Sequence, residues 1–303
     1  MNILVVGNGG REHTIAYWLS KTMPSGSKLY CVPGNPGISL IAECAAIKAE
    51  PGPVAEFAKE KKIDFAVIGP EAPLCAGVSD ALREIGVDPC SISAIFVTHD
   101  HADHINGVRV FAERHGVKVY ASQGTLEGMK DAGTITAKMK TEVIPYSGTE
   151  AGGIFVRPFR TPHDTAESTG YTVVTHDGKR IAVATDIGKM TDTVMDAIYG
   201  SDLILLESNH DVGMLRNGPY PFFLKERIIS DRGHLSNESC AAAAVKLMES
   251  GTTRFVLGHL SKENNIPALA YETTRAAMRI AGAAENLDYI LTVAGDYNPV
   301  ISL

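Results

Sequence analysis

No stretch of the sequence comes near the ~20 consecutive apolar residues that a membrane-spanning helix needs, which excludes a helical membrane protein. Positive charge is also scarce. Lys and Arg total 28 against 35 Asp and Glu, for a formal net charge of −7. A polybasic nucleic-acid binder neutralises phosphates with clustered Lys and Arg, so this balance argues against one. It leaves room for a nuclease whose metal ions hold the phosphate. Paired cysteines are missing: Cys31, Cys44, Cys75, Cys90 and Cys240 are odd in number and form neither a CxxC pair nor a disulfide framework. They read as free thiols, buried or half-buried, in a reducing cytosol. The N-terminus has no basic segment ahead of its first apolar residues and runs straight into glycines, so it reads as a first strand and not as a signal peptide. Repeats and low-complexity linkers are absent too. A soluble, cytoplasmic protein is expected. Hydrophobic residues make up 45% of 303, enough to pack one large domain or two of ordinary size.

The first third alternates strand and helix. Residues 3–6, 28–32 and 65–69 read as buried strands, and 12–21, 54–61 and 77–85 as helices. Short connections between them imply a parallel, Rossmann-like sheet. Residues 94–98 form a further strand, 108–115 a helix and 117–121 a strand. The texture then becomes strand-rich, at 143–145, 154–158, 171–175 and 180–185, with Asp177-Gly178 as a hairpin signal. Helix and strand alternate again to the end, with helices at 193–199, 238–249 and 267–281 and strands at 203–206, 255–257 and 289–293. Such a run fits two mixed sheets packed together with helices outside.

The strongest chemical feature is Thr98-His99-Asp100-His101-Ala102-Asp103-His104. Three histidines and an aspartate crowd into the turn after a strand, where alternate side chains can converge on one point. Imidazole with carboxylate suits zinc or manganese. The HxHxDH pattern resembles the metallo-β-lactamase superfamily, whose members follow it with a histidine, an aspartate and a final histidine. Here His163, Asp186 and His259 follow in that order, each at the end of an expected strand. The resemblance implies an αββα sandwich and two divalent metal ions, Zn or Mn. His99, His101 and His163 would hold one, and Asp103, His104 and His259 the other, with Asp186 between them. It further implies hydrolysis by a metal-bridging hydroxide, with Asp103 among the catalytic residues.

Three more strings resemble the YycJ/WalJ-type exonuclease-like branch: Glu207-Ser208-Asn209-His210-Asp211, Gly233-His234-Leu235-Ser236-Asn237-Glu238, and His259-Leu260-Ser261-Lys262-Glu263-Asn264-Asn265. This narrower resemblance implies a phosphodiester substrate, with 5′-end-directed trimming of DNA. His234 would then be a catalytic residue that donates to a phosphate oxygen or protonates the leaving group. Ser236 also reads as an ordinary helix N-cap. His210-Asp211 reads equally as a supporting pair for the metal ligands or as a polar turn. Arg216, Lys225 and Arg232 read either as phosphate contacts or as scattered surface charge.

Residues 1–87 resemble a different family, the N-terminal domain of phosphoribosylamine–glycine ligase. The matching strings are Gly7-Asn8-Gly9-Gly10-Arg11-Glu12-His13, Val32-Pro33-Gly34-Asn35-Pro36-Gly37-Ile38 and Ile68-Gly69-Pro70-Glu71-Ala72-Pro73-Leu74. Glycines after a first strand let backbone N–H groups approach a phosphate. The resemblance makes Gly9, Gly10, Asn35 and Glu71 candidate ligand-binding residues. Nothing after residue 87 resembles the ATP-grasp domain that the ligase chemistry needs, so no ligase activity is expected. The hydrolase-like part, 88–303, lacks the opening strands usual in its family. The chain reads as a chimera of a Rossmann-like parallel βαβ segment and an α/β metallo-β-lactamase sandwich. An N-terminal sheet that abuts or continues the first hydrolase sheet, or a homodimer, would cover the open strand edge.

The leading expectation is a dinuclear metal-dependent phosphodiesterase. Two alternatives belong to other classes: a non-catalytic metal-binding chimera whose site the fusion has impaired, and a phosphoribosyl-ligand-binding protein that works through the N-terminal loops.

Overall fold

The computed structural model describes residues 1–7, 10–48, 51–68 and 88–294. The chain divides into two compact units. One comprises Met1–Ile92, Asn106–Val117 and Ala137–Met139, and the other Ser93–Ile105, Lys118–Thr136 and Lys140–Leu303.

In the first unit β1 (Asn2–Gly7), β2 (Lys28–Pro33), β3 (Glu43–Cys44) and β4 (Phe65–Ile68) form a parallel sheet in the order β3-β2-β1-β4. Successive residues of a strand face opposite sides, and β1 is apolar on both. Ile3 and Val5 pack with Leu29, Cys31 and helix Gly10–Thr22, through Ile15, Ala16 and Leu19. Leu4 and Val6 pack with Tyr30, Val32 and helix Pro51–Glu60, through Val54, Phe57 and Ala58. This is the Rossmann-like βαβ segment expected. Among the described cysteines, Cys31 and Cys240 are buried and Cys44 half-buried, but Cys90 is exposed, a departure from the expected burial. The helix expected at 77–85 lies outside the described residues.

The second unit contains two sheets. β5 (Ala94–Phe96), β6 (Lys118–Ala121) and β7 (Lys140–Val143) are parallel, in the order β5-β6-β7. The larger sheet has seven strands: β8 (Thr149–Ala151), β9 (Ile154–Arg160), β10 (Thr169–Val174), β11 (Arg180–Ala184), β12 (Leu203–Glu207), β13 (Arg254–Gly258) and β14 (Ile290–Val293). β8 to β11 pair antiparallel and β11 to β14 parallel. The hairpin signal turns β10 into β11, with Gly178 at φ 82° and its N–H donated to Thr175. The ladders form three separate sheets, so the expected single ladder from the N-terminal sheet into the next is not found among the described residues.

The two sheets of the second unit share an apolar layer of Phe96, Tyr120, Val156 and Tyr171. The opposite face of the larger sheet presents Ala182, Ile204, Leu206 and Phe255 to helices Asp192–Ile198, Asn237–Glu249 and Pro267–Ile280. Helices Gln123–Asp131, Val212–Asn217 and Phe222–Ile229 are present as well, which the sequence pattern did not lead us to expect. No helix of the described residues is long and apolar enough to cross a membrane. For the site, the consequence of this topology is that β5, β11, β12 and β13 all deliver their C-terminal ends to one edge.

Candidate metal centre

β5 ends three residues before His99, and the turn that follows runs into the short helix Ala102–Ile105. The turn is pinned from behind by the Thr98 hydroxyl, 3.1 Å from His99 Nδ1 and 3.2 Å from His104 Nδ1. His163 follows β9, Asp186 follows β11, Glu207 closes β12 and His259 follows β13. Asp186 and His259 have φ of 59° and 56°, a region that non-glycine residues rarely adopt. Each such residue costs about 1–3 kcal/mol. The surrounding structure holds both in it, and it aims both side chains at the same point.

The seven expected ligand residues converge. His163 Nε2 lies 3.3 Å from His101 Nδ1, and His104 Nε2 lies 3.4 Å from His259 Nε2. Asp186 sits amid them, with carboxylate oxygens 3.4 Å from His104 Nε2, 3.5 Å from His259 Nε2, 3.6 Å from His163 Nε2 and 3.9 Å from His99 Nε2. Asp103 reaches in from the rim, its Oδ2 3.7 Å from His104 Nε2 and 3.9 Å from His259 Nε2. His99/His101/His163, His99/His104/Asp186 and Asp103/His104/His259 each bring one ligand atom per residue within 4.8 Å of one another.

Charge and burial fit a cation. His99 Nε2 and Asp186 Oδ2 are buried and have no hydrogen-bond partner, a costly state for polar atoms unless something else satisfies them. Burial pushes the His99 imidazole down to about 2, helped by the neighbouring His104, His163 and His101. Burial likewise lowers His104 and His163. Neutral imidazoles are the form that binds metal. His259 goes the other way. Burial lowers it, but Asp103, Glu207 and Asp186 outweigh that and raise it to about 11. The same His259 imidazole holds Asp103 well below the usual carboxylate range, although at 3.9 Å the two make an ion pair and not a hydrogen bond. His259 thus registers a surplus of carboxylate that a bound cation would balance.

Glu207, not singled out as a site residue from the sequence, ties this edge together. It is fully buried. Its Oε1 lies 2.8 Å from His234 Nδ1 and 2.9 Å from His259 Nδ1, and its Oε2 accepts from the N–H of Ile187 at 2.7 Å and of Leu235 at 3.2 Å. Burial raises its pKa, but the His234 and His259 imidazoles bring it down to about 2, so it is a carboxylate. Both imidazoles therefore donate Nδ1–H to it and turn Nε2 the other way. Its sequence signals are its place at the end of an apolar strand, Leu203-Ile204-Leu205-Leu206-Glu207, and at the head of the Glu207–Asp211 string. Asp164 is a second omission. Its Oδ1 lies 3.3 Å from His163 Nε2 and 3.6 Å from His101 Nε2, and its Oδ2 accepts from Arg227 Nε.

The three longer strings meet behind the site. Ser208 Oγ donates to Asn237 Oδ1 at 2.7 Å, Asn265 Nδ2 donates to the Ser208 carbonyl at 2.8 Å, and Asn209 Nδ2 donates to the His259 carbonyl at 2.8 Å. Ser236 is an N-cap, accepting from Ser239 N–H, and Asp211 caps helix Val212–Asn217 in the same way. His210 is buried and pairs with Ser236 through the backbone. Arg232 donates to the His163 and Thr165 carbonyls, and Lys225 to those of Arg216 and Gly218, so these two cations brace the backbone. Of the candidate ligand-binding residues in the first unit, Gly10 opens the helix after β1 and Asn35 lies in the loop after β2, its Oδ1 accepting from Ile38 N–H at 2.9 Å. Gly9 and Glu71 lie outside the described residues.

The family described as "Beta-lactamase superfamily domain" matches residues 78–260, and "Phosphoribosylglycinamide synthetase, N domain" matches residues 1–94. The chain is 36% identical over 216 residues to the exodeoxyribonuclease WalJ of Streptococcus pneumoniae, which covers 70% of this chain and 80% of that protein. It is 49% identical over 88 residues to the phosphoribosylamine–glycine ligase of Brucella melitensis, covering 29% of this chain but only 20% of the ligase. Among solved structures, the metallo-β-lactamase fold protein YhfI from Bacillus subtilis superposes with a TM-score of 0.50 at 16% identity, over 71% of this chain and 80% of that one. The chain thus joins a ligase-N-domain-like segment to a hydrolase-type fold.

Proposed function

Because the chain belongs to the metallo-β-lactamase superfamily, we propose that it is a metal-dependent phosphodiesterase that trims DNA ends, acting in the cytoplasm. One observation carries this reading: a cluster of imidazoles around the buried Asp186 carboxylate, with His99 Nε2 and Asp186 Oδ2 lacking any hydrogen-bond partner. The substrate class is supported by the likeness to WalJ, an exodeoxyribonuclease.

In this proposal His99, His101 and His163 would hold one divalent cation, Asp103, His104 and His259 a second, and Asp186 both. Zinc and manganese both suit that donor set. Two such ions, when bound, polarise a water and offset the charge that develops on a phosphodiester. The chain does the rest. Glu207 fixes the His259 ring, as partners behind a metal ligand commonly do. It fixes His234 by the same bond, and His234 lines the cleft. With Nδ1–H donated to Glu207, His234 would act as an imidazolium, protonated on Nε2 as well, to hydrogen-bond a phosphoryl oxygen or to protonate the leaving oxygen. Arg227, paired with Asp164 at the cleft wall, and Lys262 are the cations that line this cleft among the described residues. The same reading divides the chain into 1–87 and 88–303, and extends to a homodimer, which light scattering would detect.

The test uses protein loaded with zinc or manganese, bis-p-nitrophenyl phosphate, and DNA labelled at either end. Hydrolysis of the small diester, and loss of a 5′ label before a 3′ label, are expected. Metal-loaded protein that turns over neither substrate would leave only the metal-binding chimera.

A second reading has its own observation. Gly10 and Asn35 stand beyond the C-terminal ends of adjacent parallel strands, where ligands of such sheets bind. The first unit would hold a phosphoribosyl compound there. Ribose 5-phosphate that leaves the unfolding temperature unchanged would argue against it.

A further inference from the structure

The cleft above the histidines holds about 580 Å³, and helix Phe222–Ile229 forms one of its walls. Leu224, Arg227 and Ile228 face the cleft, spaced as neighbours on one side of a helix. None of the eight residues of this helix is buried. Phe222 and Phe223 are 77% and 73% exposed. Two adjacent phenylalanines kept this far in water forgo about 25 cal/mol for each Å² of apolar surface left uncovered. The packing of the fold does not account for them. Phe223 precedes Arg227 by four residues and therefore shares its side of the helix, about 6 Å away along the axis. Lys262 lines the same cleft. Asp103, Asp164 and Asp186 line the cleft as well, so positive charge there would come from Arg227 and Lys262 together with the metal ions once bound. Exposed aromatic rings beside such a groove bind single-stranded nucleic acid, because bases stack on the rings while the backbone follows the charge.

Resting on the phosphodiesterase reading, we propose that Phe222 and Phe223 are a stacking platform for unpaired nucleobases at the mouth of the metal cleft. The enzyme would hold a single-stranded DNA end by its bases as well as by the phosphate being cleaved. A protein partner fits less well. Two rings fall far short of the ~800 Å² per side of a stable protein interface, and the helix that carries them forms a wall of the cleft above the candidate metal ligands.

The experiment uses the full chain loaded with metal and a short single-stranded oligodeoxynucleotide whose phosphorothioate linkages slow cleavage. Binding is read by fluorescence anisotropy, beside a matched strand with abasic sites at its end. The intact strand is expected to bind roughly 5- to 150-fold more tightly than the abasic one, the range for a stacked base. Phe222→Ala with Phe223→Ala should abolish that difference, and Phe222→Trp with Phe223→Trp should keep it. Both side chains are exposed, so neither pair of changes removes core packing. Equal affinity of the unchanged protein for the two strands would overturn the proposal. So would a double alanine variant that keeps the base preference but changes its oligomeric state, which would mark the rings as a protein contact. Hydrolysis of bis-p-nitrophenyl phosphate by the unchanged protein judges the phosphodiesterase reading separately, so either reading can fail while the other stands.

Discussion

A carboxylate with no exposed surface is tolerable only when its lone pairs are answered, and Glu207 meets four donors, two imidazoles and two backbone N–H groups. Removing the side chain leaves those donors stranded, so Glu207→Ala should cost several kcal/mol of stability. Glu207→Gln is the more informative change. It keeps the volume but gives up the charge, and its amide N–H₂ confronts one of the donors. Metal affinity should fall by about 10- to 100-fold, as is usual when the partner behind a ligating histidine is lost. Competition titration against a chromogenic chelator would measure this, with circular dichroism to confirm the fold. Unchanged affinity would mean that Glu207 is purely structural. Asp186 should behave differently. It lies within 4 Å of five histidine nitrogens, four of them on expected metal ligands, so Asp186→Asn should drop the metal content below one ion per chain, where His163→Ala should leave the second ion in place. Elemental analysis of dialysed protein separates the two outcomes. At this scale the sequence was most readable where chemistry repeats. Three histidines and an aspartate within six residues announce themselves, and each later ligand follows an apolar strand. Glu207 and Asp164 carry no such local pattern. Each gains its meaning from partners far away in the chain, His234 and His259 for one, Arg227 and His101 for the other.

Elements were legible in proportion to how much apolar surface they bury. β1, β12 and β13 are nearly continuous apolar runs, and helix Asn237–Glu249 shows a buried stripe of Cys240, Ala244 and Leu247. Helix Phe222–Ile229 fully buries none of its residues, so its sequence has no periodicity tied to a core. Helix Gln123–Asp131 escaped notice for another reason. It contains Gly124 and Gly128, ordinarily poor helix residues. Both are there because neighbours come close: a Cβ on Gly128 would lie 2.0 Å from Asp100 Oδ2, and one on Gly124 2.7 Å from the Glu167 Cβ. Glu167 also caps that helix. It accepts from Gly124 N–H at 2.7 Å and Tyr146 OH at 3.0 Å, with Arg160 at 3.2 Å. Burial raises its pKa, but these three donors prevail and hold it below the ordinary value of 4.5. The sign follows directly. A depressed carboxylate contributes stability that is present above its unfolded pKa and is lost as the pH falls through the folded value. Glu167→Gln should therefore destabilise by about 1–2 kcal/mol at neutral pH. Its gap from the unchanged protein should shrink as the pH drops below about 4.5. Urea denaturation at several pH values gives the curve, and a gap that is constant with pH would show that the charge of Glu167 is irrelevant.

At the scale of the whole molecule, the two units differ in what should stabilise them. Every residue of the candidate metal centre belongs to the second unit, and no metal-competent group of side chains occurs in the first among the described residues. A ligand stabilises the fold that binds it by RT ln(1 + [L]/Kd), about 2.7 kcal/mol at a hundredfold excess over Kd. Stripping the metal with a chelator should therefore lower the unfolding temperature of the second unit by several degrees and leave that of the first in place. The second unit also keeps buried polar atoms, His99 Nε2 and Asp186 Oδ2, that lack a hydrogen-bond partner and that a cation would satisfy, so its loss on chelation should exceed what its size alone suggests. Phosphoribosyl compounds would act on the opposite unit, through the loops after β1 and β2, and should be indifferent to the chelator. Calorimetry of the full chain with chelator, with ribose 5-phosphate, and with both together reads the two effects independently. If chelation shifts the whole trace as one transition, the two units fold cooperatively and metal binding supports both. If it shifts nothing, the imidazoles around Asp186 do not hold a metal tightly enough to matter, and a hydrolase that depends on one cannot be built on them.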